Sequence, residues 1–183
     1  MDVATAGRSE LSEPRLVVRD ETVDVTRFEH ADFKHPSGNA SCSIYRDDEA
    51  SATRALCTSN DLFATLPRGF CDELSGIGVN AIVVADTATF QCGGDVAAWA
   101  EISDYNNWSL GTDFAALNGW GILGDAVLPV GTTLKSGTSA CTSHSDGIRC
   151  ENSETGAGIW VSAQGDAYLL EEPIDPKAAR FVD

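Results

Sequence analysis

The chain has 183 residues, 12 basic against 28 acidic side chains, a formal charge of −16 and 43% hydrophobic content. That length suits one domain, with or without tails, and is enough to bury a core. A surface this acidic repels phosphate backbones and anionic lipid heads, which excludes a nucleic-acid or membrane-surface reader, and no apolar run approaches the roughly 18–20 residues of a membrane helix.

Residues 1–32 read as a flexible leader, with Leu16-Val17-Val18 and Val23–Phe28 offering an edge strand. Met1-Asp2-Val3-Ala4 lacks the basic start and apolar stretch of a signal peptide. Two settings fit that start, a cytosolic protein or a mature exported domain behind an initiator Met. Residues 33–170 form the expected domain, and the pattern within them is one of short β-branched or apolar runs. These are Ala40–Tyr45, Asn80–Ala85, Thr87–Gln91, Ala126–Leu128, Thr132–Lys135, Gly147–Glu151, Gly158–Ser162 and Ala167–Leu170, separated by Gly, Pro, Asn, Asp and Ser. Helical signals are confined to Asp95–Ile102 and to Phe114–Leu117 behind Thr112-Asp113. The spacing predicts an all-β fold: a small antiparallel sandwich or barrel, stapled by disulfides, with one or two short helical turns in an insert. Residues 171–183, opening Glu171-Glu172-Pro173-Ile174-Asp175-Pro176, read as an acidic tail.

Cysteines fall at 42, 57, 71, 92, 141 and 150, and none forms the C-x-x-C of a zinc or thioredoxin-type site. An even number in a short, loop-rich chain favours a disulfide framework in an oxidising compartment, which selects the exported setting. Six cysteines allow 15 pairings. Sequential pairing, Cys42–Cys57, Cys71–Cys92 and Cys141–Cys150, is the economical choice, the last closing a hairpin with Asp146-Gly147 near its centre. Each bridge contributes roughly 3 kcal/mol by the chain-entropy account.

Several short motifs belong together. Phe33-Lys-His-Pro36-Ser37-Gly38-Asn39-Ala-Ser-Cys42 resembles the opening F-x-(S/T)-P-S-G-N-(I/V)-x-C of an uncharacterised actinobacterial secreted and lipoprotein domain family. Val127-Leu128-Pro129-Val130-Gly131 is similar to its V-L-P-Y-G element. Cys141-Thr142-Ser143, Gly147-Ile148-Arg149-Cys150-Glu151-Asn152 and Thr155-Gly156-Ala157-Gly158-Ile159 resemble its closing C-x-S-x-x-x-G-(I/V)-x-C-x-N-x-x-T-G-x-G-F. The resemblance covers residues 33–170 and implies sequential bridges and an extracytoplasmic location, but no catalytic site. Ala157 and Val130 stand where that family often carries His and Tyr, so any role of those side chains is absent here. The motif residues also have a purely structural reading as turns: Pro36 presets φ, and Gly38 or Asn39 accepts positive φ.

The main departure in length is Val96–Val127, 32 residues holding Trp99, Trp108 and Trp120 with Tyr105 and Phe114. Asp104-Tyr105-Asn106-Asn107-Trp108-Ser109 mixes rings with amides, so Tyr105, Asn106, Asn107, Trp108 and Trp120 are the candidate binding residues. Trp99, Phe114 and Trp120 also read as caps on an open end of the core.

Other chemistry lacks its pattern. Glu29–His35 has no standard zinc spacing, and Ser143-His144-Ser145 has no nucleophile elbow. Arg46-Asp47-Asp48-Glu49 lacks the calcium-loop spacing, Gly76-Ile77-Gly78 is no dinucleotide fingerprint, and no residue set calls for a cofactor or a metal. Two functional expectations follow. One is a non-catalytic exported cell-envelope domain that binds or scaffolds an envelope or membrane-complex protein. The other is a module that binds carbohydrate or cell-wall polymer, or hydrolyses it.

Overall fold

The computed structural model describes residues 18–48, 50–59, 79–92 and 126–170. These residues form strands and turns, with no helix among them. The strands are β1 (Val18–Asp24), β2 (His30–Lys34), β3 (Ala40–Asp47), β4 (Ala52–Ser59), β5 (Val79–Val84), β6 (Ala88–Cys92), β7 (Ala126–Val127), β8 (Val130–Ser136), β9 (Ser139–His144), β10 (Gly147–Asn152), β11 (Gly158–Ser162) and β12 (Ala167–Leu170). They make two six-stranded sheets, β1-β8-β9-β10-β11-β12 (sheet A) and β6-β5-β4-β3-β2-β7 (sheet B). The architecture is therefore a sandwich and not a closed barrel. The two helical turns expected at Asp95–Ile102 and Phe114–Leu117 lie outside the described residues.

Alternation builds each layer. In β8, Val130, Thr132, Leu134 and Ser136 are buried while Gly131, Thr133 and Lys135 face outward; β2 and β9 repeat the pattern. The inward sets of both sheets meet in one core containing Phe33, Ile44, Ile82, Leu128, Leu134, Ile148, Ile159 and Val161. Leu56, Ala81 and Val83, with Tyr45 against them, form a smaller cluster apart from that core.

Most strand pairs are antiparallel neighbours joined by tight turns. Two pairings are parallel and join strands remote in sequence: β1 with β8 and β2 with β7. Parallel pairing needs a long connection. Here the whole of sheet B intervenes between β1 and β8.

Two of the sequential disulfides are present. Cys42–Cys57 joins directly opposed residues of β3 and β4, and Cys141–Cys150 does the same for β9 and β10, with Cα–Cα distances of 4.1 and 4.0 Å. The expected Cys71–Cys92 pair lies outside what the structure describes, Cys71 wholly and Cys92 in its side chain. The Cys141–Cys150 hairpin turns one residue earlier than its Asp-Gly signal suggests. His144 pairs with Gly147, so Ser145-Asp146 is the loop and Gly147 already belongs to β10.

Candidate recognition face

The motif residues hold turns of the two sheets together. His35 is buried at the turn between β2 and β3. Its Nδ1 accepts the backbone N–H of Ser37 at 3.0 Å, which leaves the proton on Nε2, and Nε2–H donates to the carbonyl of His144 at 2.9 Å. Gly38, at φ 78°, closes the turn with its N–H on the His35 carbonyl, and Asn39 Nδ2 donates to the Ala163 carbonyl at 2.9 Å. Ser59 at the end of β4 donates to the Gly165 carbonyl. One turn and one strand end of sheet B are thus fastened to two turns of sheet A.

The opposite end has its own clasps. Asn152 is buried; its Nδ2 donates to the Ala85 carbonyl of the β5–β6 turn at 2.9 Å, while its Oδ1 accepts the N–H groups of Glu154 and Thr155. Gly156, at φ 75°, lets the loop fold back so that its N–H reaches the Asn152 carbonyl. Thr53 Oγ1 donates to the Ser136 carbonyl at 2.8 Å, again across the sheets. The side chains of the P-S-G-N and C-x-N-x-x-T-G segments are therefore spent on fastening turns.

This end also carries an open cleft of about 470 Å³ rimmed by Arg46, Asp48, Thr53, Asp86, Thr138 and Glu154. Its carboxylates, Asp48, Asp86 and Glu154, face solvent from separate turns.

The histidines do not assemble a reactive centre. His30 stacks on Tyr45 with ring centroids 5.8 Å apart and planes nearly parallel, and burial pushes its pKa below the ordinary value against the pull of Glu29 and Asp48. Strand alternation puts Ser143 and His144 on opposite faces of β9, Ser143 buried inward and His144 outward. His144 packs on Trp160 with ring centroids 5.4 Å apart; burial lowers its pKa, Asp146 and Glu151 oppose that shift, and Arg149 reinforces it. The one group of metal-type donors among the described residues is Cys42, Cys57 and Cys150, and all three are tied in disulfides.

The outward face of sheet A carries a different arrangement. Successive cross-strand partners form one row over all six strands: Thr22, Thr133, Thr142, Arg149, Trp160 and Tyr168. Half of the row is hydroxyl, with Thr133 and Thr142 sharing a hydrogen bond of 2.8 Å, and half is cationic and aromatic. Arg149 is held in place by Glu151 at 2.8 Å. The Trp160 indole lies across β10: a Cβ built on Gly147 would sit 3.0 Å from its Cζ2 and 2.3 Å from the Val161 carbonyl oxygen. Gly147 is thus required for the ring to lie low on the sheet, a role different from the turn its Asp-Gly context suggests.

Tyr105, Asn106, Asn107, Trp108 and Trp120, the binding residues expected from sequence, lie outside the described residues. Sequence reading passed over Trp160. The available signal was its place between Ile159 and Val161, since a large ring at the outward position of an otherwise apolar strand is either covered or used. Neither a family model, nor a curated protein, nor a solved structure matches this chain.

Proposed function

We propose that the protein is a non-catalytic recognition domain of the cell envelope, exported beyond the cytoplasm and engaged with a protein partner. The observation that supports this is the Arg149-Trp160-Tyr168 half of the row on sheet A. Arg, Trp and Tyr are the residue types that anchor protein interfaces, and here they stand side by side on a rigid sheet. The two buried bridges are compatible with an oxidising compartment. A charge of −16 favours a partner with a basic contact surface. The resemblance to the actinobacterial secreted family points the same way, and the tryptophan-rich connection around Tyr105–Trp120 is the second contact element of this reading.

Capture from a cell-envelope extract tests it. Trp160→Ala and Tyr168→Ala are compared with Tyr105→Ala and Trp108→Ala, all checked for folding by circular dichroism. Loss of the same partner in the first pair assigns the sheet face, and loss in the second assigns the connection. Undiminished capture by all four rejects recognition through either.

A second reading, binding of a cell-wall glycan, is favoured by the Trp160 indole packed close over Gly147, since an aromatic ring on a sheet face can stack on a sugar. Calorimetric titration with soluble cell-wall glycan fragments separates the two. Saturable heat lost in Trp160→Ala supports the glycan, and silence leaves the protein partner.

A further inference from the structure

The two disulfides sit back to back. Cys42–Cys57 points inward from sheet B and Cys141–Cys150 inward from sheet A, and all four cysteines are buried, at most 4% exposed. Across the core, Cys57 Sγ lies 3.5 Å from Cys150 Sγ. Neither sulfur carries a hydrogen, so this is a direct sulfur–sulfur contact and not a hydrogen bond. The sulfurs of Cys42, Cys57 and Cys150 all lie within 4.8 Å of one another. Both described bridges close hairpins within a sheet; neither of these two joins one sheet to the other.

We propose that Cys57 and Cys150 form a latent inter-sheet disulfide, an alternative bond that the core reaches by thiol–disulfide exchange. The step needs an external thiol to start it. The thiolate attacks Cys42 Sγ, the Cys42–Cys57 bond breaks, and Cys57 leaves as a thiolate while Cys42 carries the mixed disulfide. The Cys57 thiolate then attacks Cys150 Sγ, the sulfur it already touches. The Cys57–Cys150 bond forms, the Cys141–Cys150 bond breaks, and Cys141 departs as a thiolate that takes a proton from water. The number of disulfide bonds is conserved, with no net oxidation beyond the thiol added. The outcome exchanges two hairpin staples for one that locks the sandwich across its layers. Burial keeps the sulfurs from the thiol in the closed fold, so exchange is gated by local opening of the sandwich.

The full-length Cys42→Ala variant tests the second step without any external thiol, because it leaves Cys57 free beside Cys150. After equilibration at pH 8, an acid quench and alkylation, trypsin cleaves at Arg54, Arg68, Lys135 and Arg149 and so places Cys57, Cys141 and Cys150 on separate peptides. The expected result is a linked Cys57–Cys150 peptide with alkylated Cys141 in at least about a tenth of the molecules, a tenth corresponding to about 1.4 kcal/mol between the two isomers. A linked Cys141–Cys150 peptide with alkylated Cys57 in more than about 99% overturns the proposal. The Cys42→Ala/Cys141→Ala double variant supplies the second arm. Treated with oxidised glutathione, it is expected to close Cys57–Cys150 with loss of two hydrogens. A folded double variant that stays reduced or only glutathionylated overturns the proposal independently.

Discussion

His35 and His144 are joined through unequal atoms: the imidazole Nε2–H of the first donates to the backbone carbonyl of the second at 2.9 Å, across the two layers. The turn that looks like a sequence motif is therefore a fastening, and its side chains have definite thermodynamic weights. Replacing His35 by Ala leaves the His144 carbonyl without its donor and empties a buried ring site, so a loss of about 2–3 kcal/mol is expected by urea denaturation. Asn39→Ala removes one such bond and should cost about 1 kcal/mol.

Asn152 carries the equivalent load at the other end, with one donor and two accepted bonds on a single buried amide. Asn152→Ala should lower stability by about 2–3 kcal/mol. Asn152→Asp keeps the acceptor and loses the donor to Ala85, so it should be destabilising as well. Equal stability of Asn152→Ala and the parent in denaturant titration would contradict this assignment.

Gly147→Ala is expected to be far more disruptive than a surface glycine replacement. A methyl there meets the Val161 carbonyl oxygen at 2.3 Å, a backbone atom that cannot rotate away, and the Trp160 ring at 3.0 Å. A loss of about 3 kcal/mol, with a changed near-ultraviolet signal from the displaced indole, is the predicted outcome.

Acid should weaken the fold through two histidines. Burial depresses the pKa of both His30 and His144 below 6.5 in the folded chain. As pH falls through 6.5, the unfolded chain takes up protons that the folded chain refuses, so stability drops until the depressed folded values are passed. His144→Gln should flatten this slope between pH 7 and 5 in thermal melts. An unchanged slope in that variant would place the effect elsewhere.

The β character was legible because short β-branched or apolar runs bounded by turn residues are a local signal, and runs such as Ala126–Leu128 or Gly158–Ser162 carry it whatever surrounds them. β2 and β4 were missed for a local reason too. His-Ala-Asp-Phe-Lys and Ala-Thr-Arg-Ala-Leu-Cys-Thr-Ser hold charged and small residues whose strand state comes from pairing on both flanks. The two described disulfides were readable from chain order, but their contact through Cys57 and Cys150 was not, since it depends on how the sheets stack. The candidate face was invisible for the same reason. Arg149, Trp160 and Tyr168 belong to three strands, and only register makes them neighbours.

β1 opens sheet A, yet its only partner among the described residues is β8, which the chain reaches after all of sheet B is laid down. During synthesis β1 must wait, unpaired, until β2 to β7 have emerged. Folding cannot proceed from the amino end forward, and the docking of β1 belongs among the last, slowest events. Until β1 docks, β8 presents a bare edge able to recruit a strand from another molecule, so the half-assembled sandwich is most vulnerable to self-association at that stage.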